Sequence, residues 1–397
     1  MSNKIKVGMV QINNSFSGQN YLPLSLGFLY SYASIHVPEF DRFEFLNPIY
    51  KRIKVQDAVR ILRGADIVAF STYVWNHKLS LAIAEELKRV NPNCLIVFGG
   101  CHVPDNETDK YLQSYEFIDI AAVGEGEKVS SSILENFSTK QWSLVPSIAY
   151  RDNNGTIKQQ PQCERIKDMN EIPSPFLEGY FDNLIKDNPE EKWIGLWETN
   201  RGCPFACTFC DWGVGFKSKV QKYDLEDRLY LEADWFSHNK IEFIFCCDAN
   251  FGIYKDRDYS IVERFAANKE KYGYPHALSV QNTKNNSETS YEVQKLLSQT
   301  GLNKGVLIAF QSLHEPTLLP NTEMASEEYI DKYGLKLTES NIVNIHGTLE
   351  ESEIEETQMM VVGTKSAPDE KWVKMRSLGY MVGFLHFNKI LQIPIVL

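Results

Sequence analysis

The chain has 397 residues, 43% of them hydrophobic, and a formal net charge of −11. That length supports two or three domains with real cores, while an acidic balance without any Lys/Arg run excludes a general nucleic-acid binder that tracks phosphates. The 8 cysteines are too sparse for a disulfide scaffold, and "MSNKIKVGMVQINNS" has no apolar run of an export signal, so reduced thiols and a cytoplasmic location are expected.

Residues 1–135 alternate strand and helix. "IKVGMVQI" is a β-branched run, and "LPLSLGFLYSYASIH" has helical spacing of apolar residues. "ADIVAFST" and "CLIVFGG" read as buried strands around the amphipathic helix "KLSLAIAEELKRVN", and "IDIAAVGEGE" as a further strand ending in glycines. Continuous apolar strands alternating with helices predict an α/β fold with a doubly wound, Rossmann-like parallel sheet. Ligands of such sheets bind beyond the carboxyl ends of the strands. Those ends supply Ser71, Thr72, Tyr73, Trp75 and Asn76, then Gly99 and Gly100, then Gly124, Glu125 and Gly126. On spacing alone the glycines are equally ordinary turns.

Residues 136–190 read as a connector, with a hairpin around Asn154-Gly155 and the extended, Pro-containing "IPSPFLEGYF". A second alternating block, 191–318, opens with the strand "WIGLWETN". Three further strands follow in "KIEFIFCCDANF", "HALSVQNTK" and "KGVLIAFQS", each separated from the last by a helical stretch. A closed (βα)8 barrel needs roughly 250 residues, so this block is a partial (βα) barrel. Residues 319–397 are a C-terminal segment without strand–helix alternation; its apolar end, "MRSLGYMVGFLHFNKILQIPIVL", is too interrupted to span a membrane.

The loop after the first strand of the second block reads "RGCPFACTFCDWG" and places Cys203, Cys207 and Cys210 in a C-x3-C-x2-C array. A structural zinc site wants four ligands; Cys246 or Cys247 would have to complete it. A redox pair of Cys207 and Cys210 leaves Cys203 unexplained. Three thiolates can instead hold a four-iron, four-sulfur cluster by three of its irons, leaving the fourth open to substrate. Pro204 stiffens the start of the loop, and Phe209 and Trp212 are expected to form an apolar shell that keeps water off the cluster.

This array resembles the radical S-adenosylmethionine (SAM) superfamily, whose C-x3-C-x-aromatic-C signature is matched by Cys203, Cys207, Phe209 and Cys210. The resemblance implies a 4Fe-4S cluster on three cysteines that are at once metal ligands and catalytic residues. SAM would be chelated by the open iron and cleaved to a 5′-deoxyadenosyl radical. It also implies that Asp248 and Asn250 lie near the methionine amine of SAM. Gln281, Thr283 and Lys284 would lie near its carboxylate, and Gln311 and Ser312 near the ribose.

Joined to such a barrel, the N-terminal sheet resembles the cobalamin-binding subgroup of that superfamily, matched on Phe70 to Thr72, Gly99-Gly100 and Gly124 to Glu127. The resemblance implies bound cobalamin, with glycines that let the backbone approach a corrinoid. Cobalamin proteins with a histidine lower ligand carry D-x-H-x-x-G early in the chain, and here the corresponding "NNSFSGQNYLPLS" has no histidine. Cobalt is therefore expected to lack a protein imidazole and to lie over Trp75, with His77 and His102 as the nearby alternatives. The implied activity is methyl transfer to an unactivated carbon of a small-molecule substrate, with cyclisation or rearrangement as the alternative. A flavodoxin or ferredoxin is the implied electron donor. Family barrels usually have six strands and four are visible here, so the join at Leu318–Leu319 reads as an internal deletion. A non-catalytic cobalamin- and SAM-binding remnant is the competing expectation.

Overall fold

A computed structural model describes residues 4–152, 154–213, 218–283, 286–303, 317–342 and 354–382. Strand β1 (Ile5–Asn13) leads through the two-residue β2 (Asn20–Tyr21) into helix α1 (Leu24–His36). There follow β3 (Phe43–Phe45), β4 (Ile49–Lys51), α2 (Val55–Leu62), β5 (Ile67–Ser71) and α3 (His77–Val90). The block closes with β6 (Leu95–Gly99), α4 (Thr108–Ser114), β7 (Ile120–Ala122) and α5 (Gly126–Asn136). β3, β1, β5, β6 and β7 are parallel neighbours in that order, with Val7 opposite Ile67, Ile67 opposite Leu95 and Val97 opposite Ile120.

Side-chain alternation explains why both faces are covered. Phe70, Ile96 and Phe98 pack on Val59, Leu62, Leu79, Ile83 and Leu112 of α2, α3 and α4. Val7, Ile67 and Val97 point to the opposite face, against Leu26 and Ala33 of α1 and Val129 and Ile133 of α5. A strand buried on both sides must be apolar at every position, which is how these runs read. The hairpin expected near Asn154 forms as β8 (Ile148–Arg151) and β9 (Ile157–Gln159). It pairs antiparallel onto β7, so the first sheet extends past the boundary at 135: Ile148, Ala149 and Tyr150 are apolar enough to be buried between β7 and the edge strand β9.

After α6 (Asp182–Asp187) the second block begins with β10 (Trp193–Trp197), β11 (Asn200–Arg201), β12 (Gln221–Lys222) and α7 (Tyr230–His238). Two more βα units follow, β13 (Phe243–Cys246) with α8 (Lys255–Tyr272) and β14 (Ala277–Ser279) with α9 (Ser287–Gln299). The parallel order is β14-β13-β10-β2. This is the partial barrel, edged on one side by a strand from the N-terminal loop. The strand expected in "KGVLIAFQS", with Gln311 and Ser312, lies outside the described residues, as does Lys284.

The C-terminal segment holds α10 (Glu327–Tyr333), the antiparallel pair β15 (Lys336–Asn341) and β16 (Thr357–Gly363), and α11 (Asp369–Val382). It docks on the first sheet's helices. Buried Glu356 accepts hydrogen bonds from the backbone N–H groups of Lys78 and Leu79, at 2.8 and 2.9 Å. These are first-turn amides of α3, which has no side-chain cap of its own. Such orphan donors need an acceptor, and here it comes from a distant hairpin. Among the described residues no helix is long and apolar enough to cross a membrane.

Candidate active site: a cavity between two sheets

The carboxyl ends of β5, β6 and β7 face the carboxyl end of β10 across a cavity of about 330 Å³, a size typical of small-molecule and cofactor sites. The first wall carries Ser71, Gly99, Gly100, Gly124, Glu125 and Gly126, as expected from the strand ends. Gly100 has its own reason to be glycine: φ is +94°, and a Cβ would lie 2.7 Å from the Thr72 carbonyl oxygen. Gly99 differs. A Cβ there would meet nothing closer than Ala122, at 3.7 Å, so packing does not demand glycine, and a side chain would instead take up room at the cavity wall.

The rest of that loop does not reach the cavity. Asn76 is fully buried, donates to the carbonyls of Ile12 and Ser71, and accepts from the Tyr73 N–H. These bonds pull the loop back onto β1. Trp75 consequently stacks on Tyr73, ring centroids 4.6 Å apart, and donates to Asn13 Oδ1. Neither ring lines the cavity. Thr72 is likewise buried, bonded to the Gly99 carbonyl. His77 and His102 pack against each other at 4.3 Å, His77 reaching the Tyr111 hydroxyl. Burial lowers them to about 3 and about 4 respectively, which keeps both neutral, and neither lines the cavity.

The second wall is polar and ionic. Its centre is Arg201, whose guanidinium lies 2.9 Å from both Glu127 and Glu198 and 3.6 Å from Glu125. Burial alone would depress the Arg201 pKa, but Glu127 and Glu198 outweigh it and hold it well above the ordinary value. Glu125 also pairs with Arg165, at 2.9 Å. The ion network therefore ties the "GEGE" turn of the first sheet to the strand that enters the cysteine loop. Asn321 closes the side of the cavity: it donates to the carbonyls of Cys101 and Val103 and accepts from the Asp105 N–H at 2.8 Å.

Cys203 is buried and Cys207 and Cys210 are partly buried. The Cys210 N–H bonds the Cys207 carbonyl at 3.0 Å, and the Thr208 carbonyl is held by the Met324 N–H of the C-terminal segment at 2.9 Å. Among the described residues no three His, Cys, Asp or Glu converge closely enough to share one metal ion. A cluster does not ask this of its ligands, because each sulfur binds a different iron. Cys246 is fully buried, and burial pushes its thiol well above the ordinary value. Phe209 and Trp212 are 46% and 39% exposed. The apolar shell expected of them is therefore open, with Trp212 on the cavity wall.

Asp248 also differs from expectation. It is fully buried and accepts from the N–H groups of Thr199 and Asn200, the Asn200 amide and the Thr199 hydroxyl. Desolvation raises its pKa to about 6 against those bonds and the nearby Arg257. Its work is to fix the end of β10, and it faces no ligand space. Asn250, two residues on, reaches the cysteine loop: its Nδ2 lies 3.0 Å from Cys203 Sγ, and its Oδ1 is buried without a hydrogen-bond partner. Gln281 and Thr283 anchor this stretch through main-chain bonds to Phe251. The site residues that the sequence did not disclose are Arg201, Glu198 and Asn321, while Glu127 was marked only as the end of the "GEGE" turn.

No protein-family model matches the chain. It is 27% identical to the cobalamin-dependent radical SAM methyltransferase TokK of Streptomyces tokunonensis, over 92% of this chain and 63% of that protein. It is 33% identical to the 2-(S-pantetheinyl)-carbapenam-3-carboxylate methyltransferase of Streptantibioticus cattleyicolor, over 74% of this chain and 43% of that protein. The chain thus spans less than two thirds of these relatives. The alignment with TokK runs over 437 positions, more than the 397 residues of the chain, so the relative has internal positions that this chain lacks. The fold matches the cobalamin-dependent SAM radical enzyme OxsB with aqua-cobalamin and SAM bound (TM-score 0.53, 18% identity, 76% of this chain and 43% of that one). It also matches the radical SAM methyltransferase TsrM from Kitasatospora setae (TM-score 0.51, 14% identity, 75% and 57%).

Proposed function

The chain belongs to the cobalamin-dependent radical SAM family, and from that premise we propose that it transfers a methyl group to an unactivated carbon of a small-molecule substrate. The observation that carries the reading is that the glycine turns of the first sheet and the strand leading into Cys203 open onto the same cavity. When bound, a 4Fe-4S cluster with SAM would supply a 5′-deoxyadenosyl radical, and cobalamin the methyl group.

The residues present fit these groups. Cys203, Cys207 and Cys210 are the soft donors that a cluster takes, and Gly99 leaves the first wall open where a corrin would lie. Asn250 Oδ1 is a buried acceptor without a donor, the kind of orphan that calls for a ligand, and the amine of SAM would satisfy it. Arg201, Glu127 and Glu198 hold the two walls in register, and Asn321 keeps one side closed against water.

Anaerobic reconstitution tests the reading. The chain should take up about four irons, consistent with a cluster on three thiolates, and the triple variant C203A/C207A/C210A should take up none. Cobalamin should bind without nitrogen superhyperfine splitting from a protein imidazole in the EPR spectrum of its cob(II) form. Iron retained by the triple variant would remove the basis of the proposal.

A further inference from the structure

We infer that Asn250 is the hydrogen-bond donor that sets the reduction potential of the cluster, through Cys203; this rests on the function proposed above. The amide Nδ2 lies 3.0 Å from Cys203 Sγ, the residue is 3% exposed, and its Oδ1 has no partner. An amide can turn either end toward a thiol. Toward an iron-bound thiolate, which carries no proton, only the NH2 end can bond. Loading the cluster therefore locks the orientation already seen, with Oδ1 turned away from the sulfur.

The backbone around Asn250 leaves it little freedom. Asp248 is held by four hydrogen bonds from Thr199 and Asn200. On the other side Phe251 donates to the Gln281 carbonyl at 2.7 Å and accepts from the Thr283 N–H at 2.9 Å. The Gly252 N–H donates to Asp258 at 2.7 Å, with Gly252 at φ +95°. A side chain fixed at both flanks presents its donor at a constant distance. Such a bond stabilises the extra negative charge of the reduced cluster and so raises its potential. One electron enters the cluster; no bond at Asn250 forms or breaks.

The test compares the native chain with Asn250→Leu, which keeps the volume and removes the donor, and Asn250→Asp, which places a carboxylate beside the sulfur. After equal iron uptake is verified, EPR-monitored redox titration reads the midpoint. We expect a fall of about 59 mV in the Leu variant, a tenfold change in a one-electron equilibrium, and a larger fall in the Asp variant. A merely structural residue would lower iron content and leave the midpoint of the loaded fraction where it was. Should either variant fail to load, the native protein itself is read: electron–nuclear double resonance of the reduced cluster, with 15N-asparagine and deuterium exchange, should show an exchangeable proton coupled on that nitrogen. Unchanged midpoints in loaded variants, or no such coupling, overturn this inference alone. A native chain that takes up no iron on its cysteines overturns the proposed function and this inference together.

Discussion

The two walls of the cavity differ in what they add to apolar packing. The first stands on apolar strands: Phe70, Ile96 and Phe98 are almost entirely buried between α2, α3 and α4. The second has an apolar core of its own, with Trp193, Phe236, Ile244 and Phe265, and adds buried charge to it. Arg201 is paired with Glu127 and Glu198, Arg257 with Asp258, and Arg228 with Glu232, whose carboxylate also accepts from Trp197 at 2.6 Å. Apolar packing is non-directional and tolerates volume-conserving change. Buried ion pairs add little net stability, but removing one partner is expensive. A wall that leads into the cysteine loop has more use for direction than for adhesion, and it is this wall that carries the buried ion pairs.

Breaking the ionic wall should therefore cost most. Arg201→Leu leaves Glu127 and Glu198 buried without their cation, and a loss of about 3–5 kcal/mol is expected, measured as a lowered urea midpoint at constant slope. Restoring neutrality with Glu127→Gln and Glu198→Gln in the same chain should recover part of that loss. Recovery of nothing would show that the network acts by shape and not by charge. Asp248→Ala orphans the donors of Thr199 and Asn200 and should cost about 3 kcal/mol. It should also reduce iron uptake, which a change in the first wall should not.

The apolar wall gives smaller effects. Ile96→Val should cost about 1 kcal/mol with iron uptake unaltered; a matching loss of iron would erase the contrast between the walls. The smallest effect is a slope. Burial lowers His77 to about 3 and His102 to about 4 from an ordinary 6.5, so the unfolded chain binds protons that the folded chain refuses. Their contribution to stability is full above pH 6.5 and is lost as the pH falls toward those values. His102→Gln should flatten the stability profile between pH 6.5 and 4, measured by denaturation at a series of pH values.

The first sheet was legible because each strand had to be apolar on both faces, and the cysteine array because its spacing admits few chemistries. What stayed hidden has no periodic signature. β2 is two residues that pair with β10, too short to show alternation. Asn321 and Glu356 are single polar residues in unpatterned stretches, and their importance lies in donors contributed by distant parts of the chain. Asp248 was misread for a physical reason: a carboxylate at a strand end looks the same in sequence whether it awaits a ligand or satisfies main-chain N–H groups.

The borrowed cap on α3 has a consequence in time. Lys78 and Glu356 are 278 positions apart, and Asp105 and Asn321 are 216 apart. Synthesis proceeds at about 5–20 residues per second, so the first sheet leaves the ribosome well before either partner exists. Through that interval α3 has uncovered amides and the cavity lacks its side closure and its second wall. A large ligand meets an open sheet end. Once Asn321 is in place that side of the cavity is closed, and any later opening there is a local event with its own free energy. The order in which the chain is made thus sets the order in which the cavity closes.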